Sequence, residues 1–161
     1  MKTEKESKSM RLLVGLDFSD CSRNALRKAV DLAAGKDSEI IAVHVIDSRL
    51  ARELVHMGLA SEREIKKKLF LNAKVKLKDI LAEEFSGIDI KPFVCEGMPH
   101  MEINRKAEGF NADMIIIGSC GMAGEPEAIF FGGTAEKILR FASRPVLCVP
   151  PAKKGGTKPI F

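Results

Sequence analysis

Between Gly118 and Glu136 the chain reads GSCGMAGEPEAIFFGGTAE, with glycines at both ends of the stretch. Gly118 and Gly121 follow the apolar run DMIIIG, and Gly132 and Gly133 precede TAEKILRFA, which has helical spacing. Glycines between a strand and a helix let the backbone approach a phosphate closely. The free amides and dipole at a helix start also favour an anion. The same glycines would serve equally in a plain strand-to-helix turn. No G-K-[ST] follows, so this is not the phosphate loop of the large NTPase class, and G-x-G-x-x-G is absent too. Gly133 is a candidate helix N-cap, with Glu136 placed to reach back to the cap amides.

The other groups able to do chemistry lie at strand tips. Asp17 ends RLLVGLD and Asp47 ends EIIAVHVID. A carboxylate there can accept hydrogen bonds from ribose hydroxyls or an adenine amine, or it can cap the following helix. Asp47 reads as a cap or turn residue. Cys120 sits among the glycines, where amide dipoles would lower its thiol pKa in a redox-sensing role; the alternative is an inert turn residue. His44 lies inside an apolar run and reads as packed, whereas His100 follows Pro99 and reads as exposed. No nucleophile and base fall into a triad pattern. Without a positioned base or arginine finger, any nucleotide hydrolysis would be slow.

These groups need elements to hold them. RLLVGLD (11–17), EIIAVHVID (39–47), IDIKPFVCEG (88–97), DMIIIG (113–118) and RPVLCVP (144–150) read as strands. Between them lie helical patterns: Ser19 or Asp20 caps the first and Gly35 ends it. Gly58 divides the second region, whose main helix carries an apolar stripe of Ile65, Leu69, Ala73, Leu77, Ile80 and Leu81. Pro99 suits the first turn of the third helix, and Pro92 suits an edge strand. Strands alternating with helices predict a single α/β domain with a mostly parallel sheet covered on both faces. The expected divisions are a disordered N-terminal segment (1–10), a folded domain (11–150) and a flexible basic tail (151–161).

The 161 residues suit one domain able to bury a sizeable core. Trp and Tyr are absent and the net charge is only +4, carried largely by the two ends and by the stretch 66–78. Neither feature favours nucleic-acid binding. The N-terminus is polar, and no apolar run approaches the roughly 20 residues that would span a bilayer. The four cysteines are scattered, without a C-x-x-C pair or a histidine at ligand spacing. Reduced thiols and a cytoplasmic location are expected.

Taken in order, LLVGLDFSDCSRNAL, IIAVHVID, EGMPHMEI, ADMIIIGSCG and GGTAEKILRFASRPVLCVP resemble the universal stress protein family over roughly residues 11–150. The resemblance implies a flavodoxin-like open parallel sheet of five strands in the order 3-2-1-4-5. It implies a regulatory protein that binds ATP or another adenine nucleotide, with Mg²⁺ as a possible companion. Leu16 and Asp17 would lie near the ribose and adenine, Val45 would contact adenine through its backbone, and Ile117 and Gly118 would line the ribose side. Gly121, Gly132, Gly133 and Thr134 would supply phosphate contacts. The last strand, Val146 to Val149, would pair with a second copy in a homodimer, and further regulatory proteins would be partners. A family dimer that binds no nucleotide and a weak ATPase are the alternatives.

The chain departs from the family pattern G-x2-G-x9-G-[ST] in several places. Ten residues, not nine, separate Gly121 from Gly132. Gly133 stands where the family has Ser or Thr, with Thr134 one position later. From Gly118 to Glu136 there is no Lys or Arg, while Glu125 and Glu127 add negative charge. A carboxylate about 4 Å from a phosphate charge costs about 1 kcal/mol in water and more when desolvated. Glu125 and Glu127 must turn outward, share a divalent cation with the phosphates, or favour a ligand with fewer phosphates.

Overall fold

The first strand, β1 (Met10–Gly15), has Leu12, Leu13 and Val14 all fully buried. Both faces of this strand are covered, which is why its residues are apolar without alternation. The structure is a computed structural model that describes residues 9–121 and 131–152. The further elements are α1 (Asp20–Ala33), β2 (Ser38–Asp47), α2 (Ser48–His56), α3 (Glu62–Glu84), β3 (Ile90–Gly97), α4 (Pro99–Gly109), β4 (Met114–Gly118), α5 (Gly133–Phe141) and β5 (Val146–Val149). All five strands are parallel, in the order β3-β2-β1-β4-β5. This is the α/β fold with the strand order that the sequence led us to expect.

Two cores lie on opposite faces of the sheet. Leu12, Val14, Ile40 and Ala42 pack with Ala25, Leu26 and Ala29 of α1 and Leu77 and Ile80 of α3. Leu13, Ile41 and Val43 pack with Ile103 and Ala107 of α4 and Ala135 and Ile138 of α5. Successive strand residues thus serve different cores, as period-two geometry requires. Small residues at Ala25 and Ala29 let α1 lie close to the sheet.

Local signals set most of the boundaries. Ser19 caps α1 by accepting from the Ser22 amide. Asp47 caps α2, and Ser61 and Glu64 form a reciprocal capping box on α3. Gly35 and Gly58 follow α1 and α2 with left-handed φ of 70° and 69°. Pro92 lies on the edge strand β3, and Pro99 opens α4. In α3, Ile65, Ala73, Leu77 and Ile80 are buried, while Leu69 and Leu81 are half-buried. One expectation needs correction: β1 stops at Gly15, so Leu16 and Asp17 lie beyond the strand. The next residue, Phe18, has a left-handed φ of 69°, so the chain turns out of the sheet there. Among the described residues no helix is long and apolar enough to cross a membrane.

The chain winds outward from β1 in both directions, so β1 and β4 are neighbours whose following connections leave on opposite faces. Their carboxyl ends bound a crevice, the place where open parallel sheets present ligand sites.

Candidate functional site

The floor of the crevice is formed by Gly15 and Gly118. A Cβ on Gly118 would sit 2.8 Å from the Cys21 carbonyl carbon and 3.0 Å from the Ser22 amide nitrogen. Gly118 is therefore glycine because the start of α1 occupies the space of a side chain. A Cβ on Gly15 would press on Ile117 at 3.2 Å and Ile103 at 3.4 Å. Ile117 and Leu16 bury their side chains in opposite cores, so either could meet a ligand only through its backbone.

Above this floor, the turn after β1 presents Asp17. The Leu16 amide donates to the Val43 carbonyl at 2.9 Å, and His44 Nδ1 bonds the Leu16 carbonyl at 2.8 Å. A carbonyl can only accept, so Nδ1 carries the proton. The Phe18 ring stacks on His44, with centroids 4.1 Å apart and planes 21° from parallel. A non-glycine residue in the left-handed region costs about 1–3 kcal/mol, and such strain concentrates at functional turns. Burial holds His44 below the usual histidine range; Lys76 adds to this effect, while the Leu16 carbonyl and Asp17 oppose it.

Asp17 itself is exposed. Its Oδ1 accepts from the Ser19 amide at 3.0 Å and from the Ser19 hydroxyl. The role of helix cap thus belongs to Ser19, and Asp17 orients that cap. Asp17 Oδ2 points toward the glycine stretch, where a Cβ on Gly121 would lie 3.0 Å from it. Val45 stands two residues beyond Val43, the last partner of β1 in the ladder. Backbone alternation turns its amide and carbonyl toward the same side as those of Val43, over the end of β1.

The glycine stretch is pinched at its base. The Gly132 amide donates to the Ser119 carbonyl at 2.9 Å, and the Ser119 amide donates to the Val149 carbonyl at 2.8 Å. Gly132, not Gly133, is the N-cap of α5, and no side chain among the described residues caps this helix. Glu136 does not reach back; it pairs with Arg140 at 3.0 Å. The i,i+4 partner lies on the same helix face, and it draws the carboxylate away from the helix start. Among the described residues a Cβ on Gly133 would meet nothing within 4 Å, and Thr134 is exposed beside it. Glu125 and Glu127 lie outside the described residues. Among the described residues no group of three or more acidic, histidine or cysteine side chains is placed to hold a metal.

Cys120 does not have the low pKa of a redox sensor. Burial, the adjoining Cys21 thiol and Asp17 push it up to about 11, against a smaller lowering by Ser119. The Cys120 amide also donates to Cys21 Sγ at 3.4 Å, so the buried Cys21 thiol supports the turn. His44 is packed as expected, whereas His100 is half-buried rather than exposed. The residues that sequence reasoning left out of the site are Phe18, Ser19, His44 and Ser119. The only available signal was the polar His44 within an apolar strand. The turn geometry that gives it a role depends on a contact spanning 28 positions.

Comparison with known proteins identifies the family and the fold. The model of the universal stress protein family matches residues 8–150. Universal stress protein MJ0577 of Methanocaldococcus jannaschii is 33% identical over 152 residues, covering 86% of this chain and 93% of its own. The solved structure of MJ0577 superposes with a TM-score of 0.76 at 32% identity, covering 90% of this chain and 98% of that one. The Archaeoglobus fulgidus universal stress protein solved in complex with dAMP shares the fold, with a TM-score of 0.56 at 21% identity, covering 87% and 97%. A universal stress protein solved in complex with cAMP does so as well, with a TM-score of 0.56 at 19% identity, covering 89% and 98%. This chain belongs to the universal stress protein family.

Proposed function

We propose that this universal stress protein family member is a regulatory protein that binds an adenine nucleotide in the crevice between β1 and β4. One juxtaposition carries the reading: the Asp17 carboxylate faces Gly121 across the crevice, beside a helix start that no described side chain caps. Asp17 would accept from the ribose hydroxyls or the adenine amine. The backbones of Leu16, Val45, Ile117 and Gly118 would line the base and sugar. The amides of Gly121, Gly132, Gly133 and Thr134 would hold phosphate, supported by the α5 dipole. Side chains at Gly121 and Gly132 would narrow this cradle, since their Cβ positions lie 3.0 Å from Asp17 Oδ2 and 3.4 Å from the Gly121 amide nitrogen. The relatives solved with cAMP and dAMP support an adenine ring as the recognised group. ATP, ADP and AMP are the candidate ligands, and Mg²⁺ would accompany those with more than one phosphate.

Occupancy would act by population shift, favouring the conformation in which both sides of the crevice close on the ligand. The partner-facing element in this reading is β5, an end strand of the sheet that pairs only with β4 among the described residues. A second copy adding its own β5 would cover that edge and form a homodimer. Other regulatory proteins would read the nucleotide state of this dimer. The free thiols at Cys21, Cys95, Cys120 and Cys148 suit a cytoplasmic setting.

A second reading rests on Gly133. No described residue would crowd a side chain there, yet the chain lacks the hydroxyl that the family places at this point. A dimer acting through protein contacts alone would need no such hydroxyl. Denaturing purified protein and weighing the released small molecules separates the two. The nucleotide reading expects adenine nucleotide in the released fraction, or its uptake on dialysis against millimolar AMP, ADP or ATP. Absence of both results would favour the second reading.

A further inference from the structure

The β1–α1 turn is held from below by a residue that does not face the crevice. β1 and β2 pair as strands from Met10↔Ser38 to Gly15↔Val43. Beyond that point the Leu16 amide still bonds the Val43 carbonyl at 2.9 Å, while the Leu16 carbonyl bonds the His44 ring at 2.8 Å. His44 thus supplies by side chain the next connection of Leu16 to β2. The same ring carries Phe18 on its face at 4.1 Å. Both neighbours of Asp17 are therefore fixed by one imidazole: Leu16 by its carbonyl, Phe18 by its ring. Phe18 is held at φ 69°, a conformation that an L-residue keeps only when its surroundings impose it.

We propose that His44 is the positioning residue of the ligand site: it clamps Leu16 and Phe18 so that Asp17 faces Gly121, and so sets nucleotide affinity without touching the nucleotide. The proposal rests on the nucleotide-binding reading for its functional consequence. Its structural half stands alone. The two parts of the clamp are chemically separable. A phenylalanine at this position keeps an aromatic face for Phe18 and loses the Nδ1 donor. An asparagine keeps a donor close to the Nδ1 position and loses the ring.

The test compares the full-length wild type with His44→Phe and His44→Asn, without ligand and with AMP or ATP as probe. The ligand-free readout is amide exchange at Ser19, whose N–H bonds Asp17 Oδ1 at 3.0 Å. Losing the donor should speed Ser19 exchange about tenfold in His44→Phe, while His44→Asn stays within about threefold of wild type. Nucleotide affinity should follow the same order, with His44→Phe weaker by about tenfold and His44→Asn, which keeps the donor but loses the ring against Phe18, weaker by about threefold. If His44→Phe fails to fold, His44→Leu serves as the donor-free variant. Unchanged Ser19 exchange in the donor-free variant would overturn the proposal, as would an asparagine variant as impaired as the phenylalanine one. Altered exchange with unchanged nucleotide affinity would overturn the affinity claim. If exchange responds as stated while wild type binds neither AMP nor ATP, the clamp stands and the nucleotide reading fails.

Discussion

Gly118 and Gly133 bracket the same glycine stretch, yet they are glycines for different reasons. A Cβ on Gly118 would strike the backbone of α1 at 2.8 Å, whereas a Cβ on Gly133 would meet nothing within 4 Å among the described residues. The front of the stretch is fitted to the fold, and its far end is crowded by none of the described residues. Residue type alone does not separate packing from binding; the space around each Cβ does. Gly121 lies between the two cases. Among the described residues, what a side chain there would meet is the carboxylate of Asp17, assigned to the proposed site rather than to the core.

The largest effect expected from this contrast is on folding. Gly118→Ala must push α1 off the end of β4, and overpacking of this kind destabilises by about 3 kcal/mol. Urea denaturation should show the loss, and a variant as stable as wild type would mean the front of the stretch is not packing-limited. Gly121→Val should leave the fold in place and weaken adenine-nucleotide binding at least about tenfold, equivalent to about 1.4 kcal/mol. Calorimetric titration checks this, and full affinity would remove Gly121 from the site. Gly133→Ser should fold with stability within about 0.5 kcal/mol of wild type, since no described residue crowds that position. It should also tighten nucleotide binding about threefold by adding a hydroxyl at the α5 start. If Gly133→Ser unfolds the protein, the two ends of the stretch are alike after all.

The smallest effect sharpens the comparison from the side of the Asp17 turn. The pKa of His44 is lowered in the fold, chiefly by burial and further by Lys76, with the Leu16 carbonyl and Asp17 acting against this. The unfolded chain therefore takes up the proton first as pH falls. The stability due to a neutral His44 is complete above the ordinary histidine pKa of about 6.5 and is lost as pH drops through the folded value. His100 is also lowered, by burial, Lys137 and Arg49, and contributes in the same direction. Melting temperatures from pH 8 to pH 5 should fall more steeply for wild type than for His44→Asn. Parallel curves would show that His44 is not held neutral by the fold.

Much of the fold could be read from the chain because its signals are local. Leu12–Val14 and Ile40–Val43 are apolar without alternation, since helices cover both sheet faces. Ser19, Asp47 and Ser61 mark three helix starts by their own side chains. The strand order was legible only through family resemblance, because no local pattern encodes which strands are neighbours. At the site, Asp17 and the glycines were visible as residue types. The contact that explains Gly118 joins positions about a hundred residues apart, and the left-handed φ of Phe18 has no signature in an aromatic side chain. Glu136 looked like a capping partner by spacing alone, but Arg140, four residues on, holds its carboxylate.

The central claim is that the open end of the crevice holds an adenine nucleotide, and thermal unfolding of wild-type protein titrated with AMP, ADP and ATP, each with and without Mg²⁺, tests it most directly. At about one hundred times the dissociation constant, a bound nucleotide should add about 2.7 kcal/mol of stability, and guanosine or cytidine nucleotides should add less. No shift with any adenine nucleotide at millimolar concentration would contradict the account.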